Sequence, residues 1–184
     1  MSYNLFELLA LPVQRAAETM LGWRLQSNIS GATTGVILNE VEAYGGPDDP
    51  ASHAYGGRTA RNASMFGVAG TLYVYRSYGV HWCANVVTGP VGEAQAVLLR
   101  GGRPIDGIST METRRRRVDH LTDGPGKLCQ ALGVTGEHDG TSLVDGPIRL
   151  LPPVGPVDAE ASPRVGISKA TDRLWRFTPA QPEP

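Results

Sequence analysis

GVILNEVEAY, residues 35–44, reads as a β-strand, because β-branched and aromatic residues suit a pleated, half-buried surface. A period of two places Glu40, Glu42 and Tyr44 on one face and Ile37, Val41 and Ala43 on the other. Two carboxylates and an aromatic ring therefore project together where the strand ends. Residues 45–62, GGPDDPASHAYGGRTARN, follow, and they hold too much Gly, Pro and Asp for regular structure. A loop of this length inside a compact domain favours a functional role.

Further strands are predicted at Thr71–Tyr75, Val80–Thr88 and Ala94–Arg100, each bounded by Gly or Pro. Shorter ones are expected at Ile148–Leu151, Arg164–Ile167 and Leu174–Phe177. Val13, Ala16, Ala17, Met20 and Leu21 recur at helical spacing, with Pro12 suited to the first helical position and Gly22 to the stop. Ser109 and Glu112 have capping-box spacing and predict a short helix carrying Arg114 to Arg117. Asp123-Gly124-Pro125 opens another, ending near Gly133. The fold class that follows is α+β: one compact domain over residues 1–184, core at about 10–177, with a curved, mostly antiparallel sheet, peripheral helices and a frayed QPEP tail.

With 184 residues, 41% of them hydrophobic and 19% charged, the chain suffices for one core but hardly two. Cys83 and Cys129 lie far apart without CxxC spacing, so neither a disulfide framework nor a zinc cage is expected. No apolar run approaches the roughly 18 residues that cross a bilayer. A cytoplasmic, monomeric protein with no membrane partner is the expectation. The formal charge of −1 hides a segregation: residues 56–127 hold ten Arg and Lys against five Asp and Glu. That surplus permits a basic face for a phosphate backbone, although a solvated charged surface gives the same counts.

Strand pattern alone leaves Glu40 and Glu42 as equal candidates for a general base, or as ion-pair partners. In TLYVYRSYG, residues 71–79, Tyr73 and Tyr75 share a strand face and Tyr78 follows at a turn. Such rings can hold an extruded base or wedge into a duplex, and they can equally serve as cross-strand packing. His53, His81, Cys83, His120 and His138 make no convincing ligand set, so no metal is expected. Neither GxGxxG at a strand-to-helix junction nor GxxxxGK[ST] occurs, and no cofactor is expected.

Residues 39–89, running from NEVEAYGG to VVTG, then AVLLR, DGPGKLCQALGV and PRVGIS, together resemble the alkyladenine, or 3-methyladenine, DNA glycosylase family. The resemblance spans roughly residues 10–177 and implies a monofunctional enzyme that flips damaged purines out of double-stranded DNA and hydrolyses the glycosidic bond. It implies that Glu42 rather than Glu40 activates water, with Arg100 positioning it. Tyr44, His53, Tyr75 and Asn85 would form the base pocket, and Tyr78 would intercalate. Arg58, Arg61, Arg114 and Lys127 are expected at the DNA backbone. Two departures stand out: Val68 replaces a proline, and Gly101-Gly102-Arg103-Pro104 replaces an Ala-x-Glu-Pro whose Glu could contact Arg100. A lesion binder without turnover and a hydrolase of free nucleosides are the competing readings.

Overall fold

The computed structural model describes residues 4–153 and 155–181; within the expected frayed tail, residues 182–184 lie outside the described residues. The chain order is α1 (Leu5–Leu9), α2 (Val13–Met20), β1 (Arg24–Ile29), β2 (Ala32–Tyr44), β3 (Leu72–Ser77), β4 (His81–Thr88), β5 (Gln95–Asp106), α3 (Ile108–Arg115), α4 (Pro125–Leu132), β6 (Ile148–Leu151), β7 (Ala159–Ser162) and β8 (Arg176–Pro179). The strands form one curled sheet in the order β3-β4-β5-β2-β1-β6. Every named pairing is antiparallel. β2 is the long central strand: β5 lies along one side, while β1 pairs with its first half and β8 with Val41 and Glu42.

Strand alternation sorts the side chains into two layers. Leu72, Val74, Ala84, Val86, Val97 and Leu99 join the main core with α2 residues Val13, Ala16, Ala17 and Met20 and α4 residues Leu128 and Leu132. Each of the Val, Leu and Met side chains among these contributes about 1.5–3 kcal/mol when fully buried. The alternate residues Tyr73, Val87 and Ala96 form a smaller cluster with Ala54 and Met65 from the long loop. Residues 45–66 therefore cover the opposite face of the sheet, and the cleft opens between that loop and β3–β5.

A bulge in β2 sets which side chains reach this cleft. Leu38 pairs with Gly102 and Glu40 with Gly101, which leaves Asn39 as the extra residue. The alternation consequently changes parity: Val36 and Leu38 face the main core before the bulge, and Val41 and Ala43 after it. The strict period of two fails at Ile37, which does not share the core face of Val41 and Ala43. The Gly101-Gly102 departure fits this bulge, since a Cβ on Gly102 would stand 2.7 Å from Val36 Cγ2 and 2.9 Å from Ile37 O.

Other expectations shift for identifiable reasons. β5 continues through Arg100 to Asp106 because β2 extends far enough to pair with it. The capping box at Ser109 and Glu112 does not form; α3 starts at Ile108 after Gly107, whose φ is +64°. A Cβ there would lie 2.2 Å from Thr33 O, so glycine is what lets the helix leave β5 beside β2. α3 stops at Arg115, with Arg116 left-handed, so it does not carry all four arginines. Arg164–Ile167 is not a strand; β7 lies just before it, and β8 begins at Arg176 instead of Leu174. Pro12 is the residue before α2 rather than its first turn. The periodic patterns also leave α1 and β1 unmarked.

Candidate active site

Glu42 lies two residues before the end of the central strand and is fully buried. Its Oε1 accepts from the Val165 backbone N–H at 2.7 Å, and its Oε2 accepts from the Tyr44 hydroxyl at 2.9 Å. Arg100 Nη1 lies 3.4 Å from the same Oε2. All three neighbours are donors, which suits a buried carboxylate that must be paired and hydrogen-bonded to be tolerated. Glu40 sits one step back along β2, accepting from Arg100 Nε at 2.8 Å and from Arg176 Nε at 2.7 Å on one oxygen. Burial pushes the Glu40 carboxyl up, but the two guanidiniums outweigh it and hold the group below the usual carboxylate range. For Arg100, burial favours loss of the proton, and the charges of Glu42 and Glu40 more than reverse this.

Behind Tyr44 stands an ion pair that the sequence patterns do not reveal. Arg164 donates to both oxygens of Asp49, at 2.5 and 2.9 Å, and to the Ala43 carbonyl at 2.9 Å. Both side chains of the pair are fully buried. The Arg164 guanidinium lies 4.7 Å from the Tyr44 ring centre and 5.2 Å from that of Trp175. Asp49 also accepts from the Gly45 and Ala51 backbone N–H groups. Burial works to raise the Asp49 carboxyl, and the Arg164 and backbone hydrogen bonds bring it below its ordinary value. The Tyr44 hydroxyl is pushed upward by burial and by the charge of Glu42, so it stays a donor.

The cleft encloses about 860 Å³ and is lined by Tyr44, His53, Tyr75, Asn85, Arg100 and Val165, among others. Five of the expected site residues, Tyr44, His53, Tyr75, Asn85 and Arg100, therefore line one cleft although they come from distant parts of the chain. Tyr73 and Tyr75 stack with ring centres 5.6 Å apart, and His53 meets Tyr75 edge-on at 4.4 Å. His53 Nδ1 lies 3.1 Å from the Tyr73 hydroxyl. Burial and the Arg61 charge both hold the His53 imidazole below its usual value. Burial likewise pushes the Tyr73 hydroxyl up to about 12 and the Tyr75 hydroxyl still higher. Asn85 is buried and donates to the Tyr73 carbonyl. Cys83, also at the wall, is a free thiol raised above its ordinary value by burial.

Tyr78 stands at the rim on the turn between β3 and β4, with the Val80 N–H donating to Ser77 O at 3.0 Å. Tyr78 has φ +49° and Gly79 φ +68°, which close the hairpin tightly, and the Tyr78 side chain is left 93% exposed. Arg61 donates to Arg76 O just below the tip of this hairpin. Arg58 is exposed on the loop beside the cleft. Lys127, at the start of α4, pairs with Asp123 at 3.1 Å. Arg114 departs from the expectation of a backbone contact: its guanidinium donates to Ala131 O, Ile29 O and Thr34 Oγ1, so it ties α3 to α4 and to the β1–β2 hairpin. Burial favours the neutral form of that guanidinium. Arg103 replaces the expected Glu without depriving Arg100 of acidic partners, since Glu40 and Glu42 supply both.

The Methylpurine-DNA glycosylase family model matches residues 7–183. The chain belongs to that family of DNA glycosylases. It is 48% identical to a protein of Agrobacterium fabrum named "Putative 3-methyladenine DNA glycosylase", over 95% of this chain and 86% of that one. Proteins of the same name from Nitrosospira multiformis and Rhodococcus jostii are 49% and 54% identical, over 88% and 77% of this chain and 82% and 68% of their own lengths. Among the described residues, no helix is long and apolar enough to cross a membrane.

Proposed function

We propose that this protein excises alkylated purines from double-stranded DNA by extruding the damaged nucleotide into the cleft and hydrolysing its glycosidic bond. The observation that carries this reading is the fully buried Glu42, whose three donors, Tyr44, Arg100 and Val165, all line an aromatic cleft beneath the exposed Tyr78. A water entering between those three groups gives a proton to Glu42 as its oxygen bonds to the sugar carbon, and the base leaves with the electrons of the broken bond. An N3- or N7-alkylated purine is cationic, so it departs neutral and needs no general acid. Its charge also suits the faces of Tyr44 and Tyr75.

Tyr78 fills the gap left by the extruded base, and Asn85 crowds the exocyclic amino group of normal guanine. Arg58, Arg61 and Lys127 contact phosphate, which favours DNA over a free nucleoside. Strand cleavage through a Schiff base would need an amine at the sugar. Of the two lysines, Lys127 pairs with Asp123 and Lys169 lies over the Tyr55 ring, and the chain is read as a hydrolase without lyase activity. Duplex DNA bearing one 7-methylguanine, mixed with excess enzyme, tests the assignment. Glu42→Gln should release base at least about 100-fold more slowly than the wild type, the contribution of a general base; equal rates would refute it.

A further inference from the structure

Arg100 is placed to quench Glu42 as readily as to assist it. A guanidinium prefers to grip a carboxylate with two parallel N–H groups at about 2.7–2.9 Å. Here Arg100 gives its Nε to Glu40 at 2.8 Å, and only Nη1 faces Glu42, at the longer distance of 3.4 Å. The next arginine behaves the same way. β8 sets Arg176 directly opposite Glu42 in register, yet its Nε goes to Glu40 at 2.7 Å. Glu40 therefore collects the cations that β5 and β8 deliver to the neighbourhood of Glu42. The other groups facing the Glu42 oxygens are the Tyr44 hydroxyl and the Val165 N–H, neither of which is a cation.

Resting on the reading of Glu42 as the base, we propose that Glu40 is a positioning residue of the excision step, holding the Arg100 fork away from Glu42 so that Oε2, which accepts a close hydrogen bond from Tyr44 alone, keeps a lone pair for the proton of the attacking water. Without the charge of Glu40, Arg100 turns its fork onto Glu42 and occupies the oxygen that must take the proton. The bonded oxygen of Glu40 is held by two guanidiniums, so Glu40 is not a second base.

Single-turnover excision and lesion-duplex affinity, measured side by side, test the role. Glu40→Gln should slow excision about 10–100-fold, the loss that a misplacement of roughly 1 Å brings to a reacting group. Its affinity should stay within about twofold of the wild type, since only the chemical step is affected. Adding Arg100→Lys, which supplies a point charge and no fork, should then raise the rate at least about threefold above Glu40→Gln alone. A merely structural Glu40 predicts the opposite, a further fall. Wild-type rates in Glu40→Gln, or a double variant slower than the single, overturn the proposal. If Glu40→Gln lacks a cooperative melting transition, Glu40→Asp with and without Arg100→Lys is read in the same way. Glu42→Gln run alongside separates the failures: retained excision there removes the base reading itself, whereas its loss combined with a normal Glu40→Gln removes only the positioning role.

Discussion

Tyr44 and Tyr78 both line the cleft, and the chain holds them in opposite ways. Tyr44 is fixed on every side: its hydroxyl is bonded to Glu42, its ring lies over Arg164, and Arg164 is locked by the buried Asp49. Tyr78 is 93% exposed on a two-stranded turn, in a left-handed conformation that a tyrosine adopts at a cost. Reacting groups need placement to within a fraction of an ångström, and a rigid, buried scaffold supplies it. A wedge needs reach, and an exposed hairpin tip supplies that. The over-determined packing thus lies on the wall where the proposed chemistry takes place.

Breaking the rigid side should give the largest change. Asp49→Asn strands the buried Arg164 charge, and loss of one partner of a buried pair costs about 3–5 kcal/mol. Denaturant unfolding should report that loss; a change under about 1 kcal/mol would mean that Tyr44 does not depend on the pair. On the exposed side, Tyr78→Gly should weaken capture of a lesion duplex about tenfold, within the roughly 1–3 kcal/mol that a base-stacking ring provides. The same change should stabilise the free protein by about 1 kcal/mol, because glycine accepts the left-handed turn. Lower stability together with unchanged capture would make Tyr78 a packing residue.

The smallest effect concerns His53, which lies between the two regions. Burial and Arg61 hold its folded-state pKa below the unfolded value of about 6.5. The unfolded chain therefore takes up the proton first, so this contribution to stability is complete above about pH 6.5 and is lost as the pH falls through the depressed folded value. Thermal melting of His53→Gln should lose less stability over that acid range than the wild type. Parallel curves would remove His53 as the cause.

Local patterns reveal the parts of this comparison that are local. β4, β6, α2 and α4 follow from alternation, helical spacing and flanking Gly or Pro, and Glu42 with Tyr44 follows from a spacing of two. Choosing Glu42 over Glu40 takes the family resemblance, because both carboxylates fit the same strand face and the difference lies in which arginines reach them. The Asn39 bulge is hidden because it shows only when β2 is counted against β5. Asp49 and Arg164 are 115 residues apart, with no periodicity to connect them. Their one local signal is an Asp in a Gly- and Pro-rich loop and an Arg in PRVGIS, an expected strand that instead forms the irregular wall behind Tyr44.

The division of labour between the two regions can be measured directly by comparing Glu42→Gln and Tyr78→Ser on one duplex carrying a single 7-methylguanine, recording both affinity and single-turnover base release. Glu42→Gln should keep lesion affinity within about twofold while excision falls at least about 100-fold. Tyr78→Ser should lose affinity about tenfold and, once saturated with enzyme, release base far faster than Glu42→Gln. Equal losses of both quantities in the two variants would contradict the account.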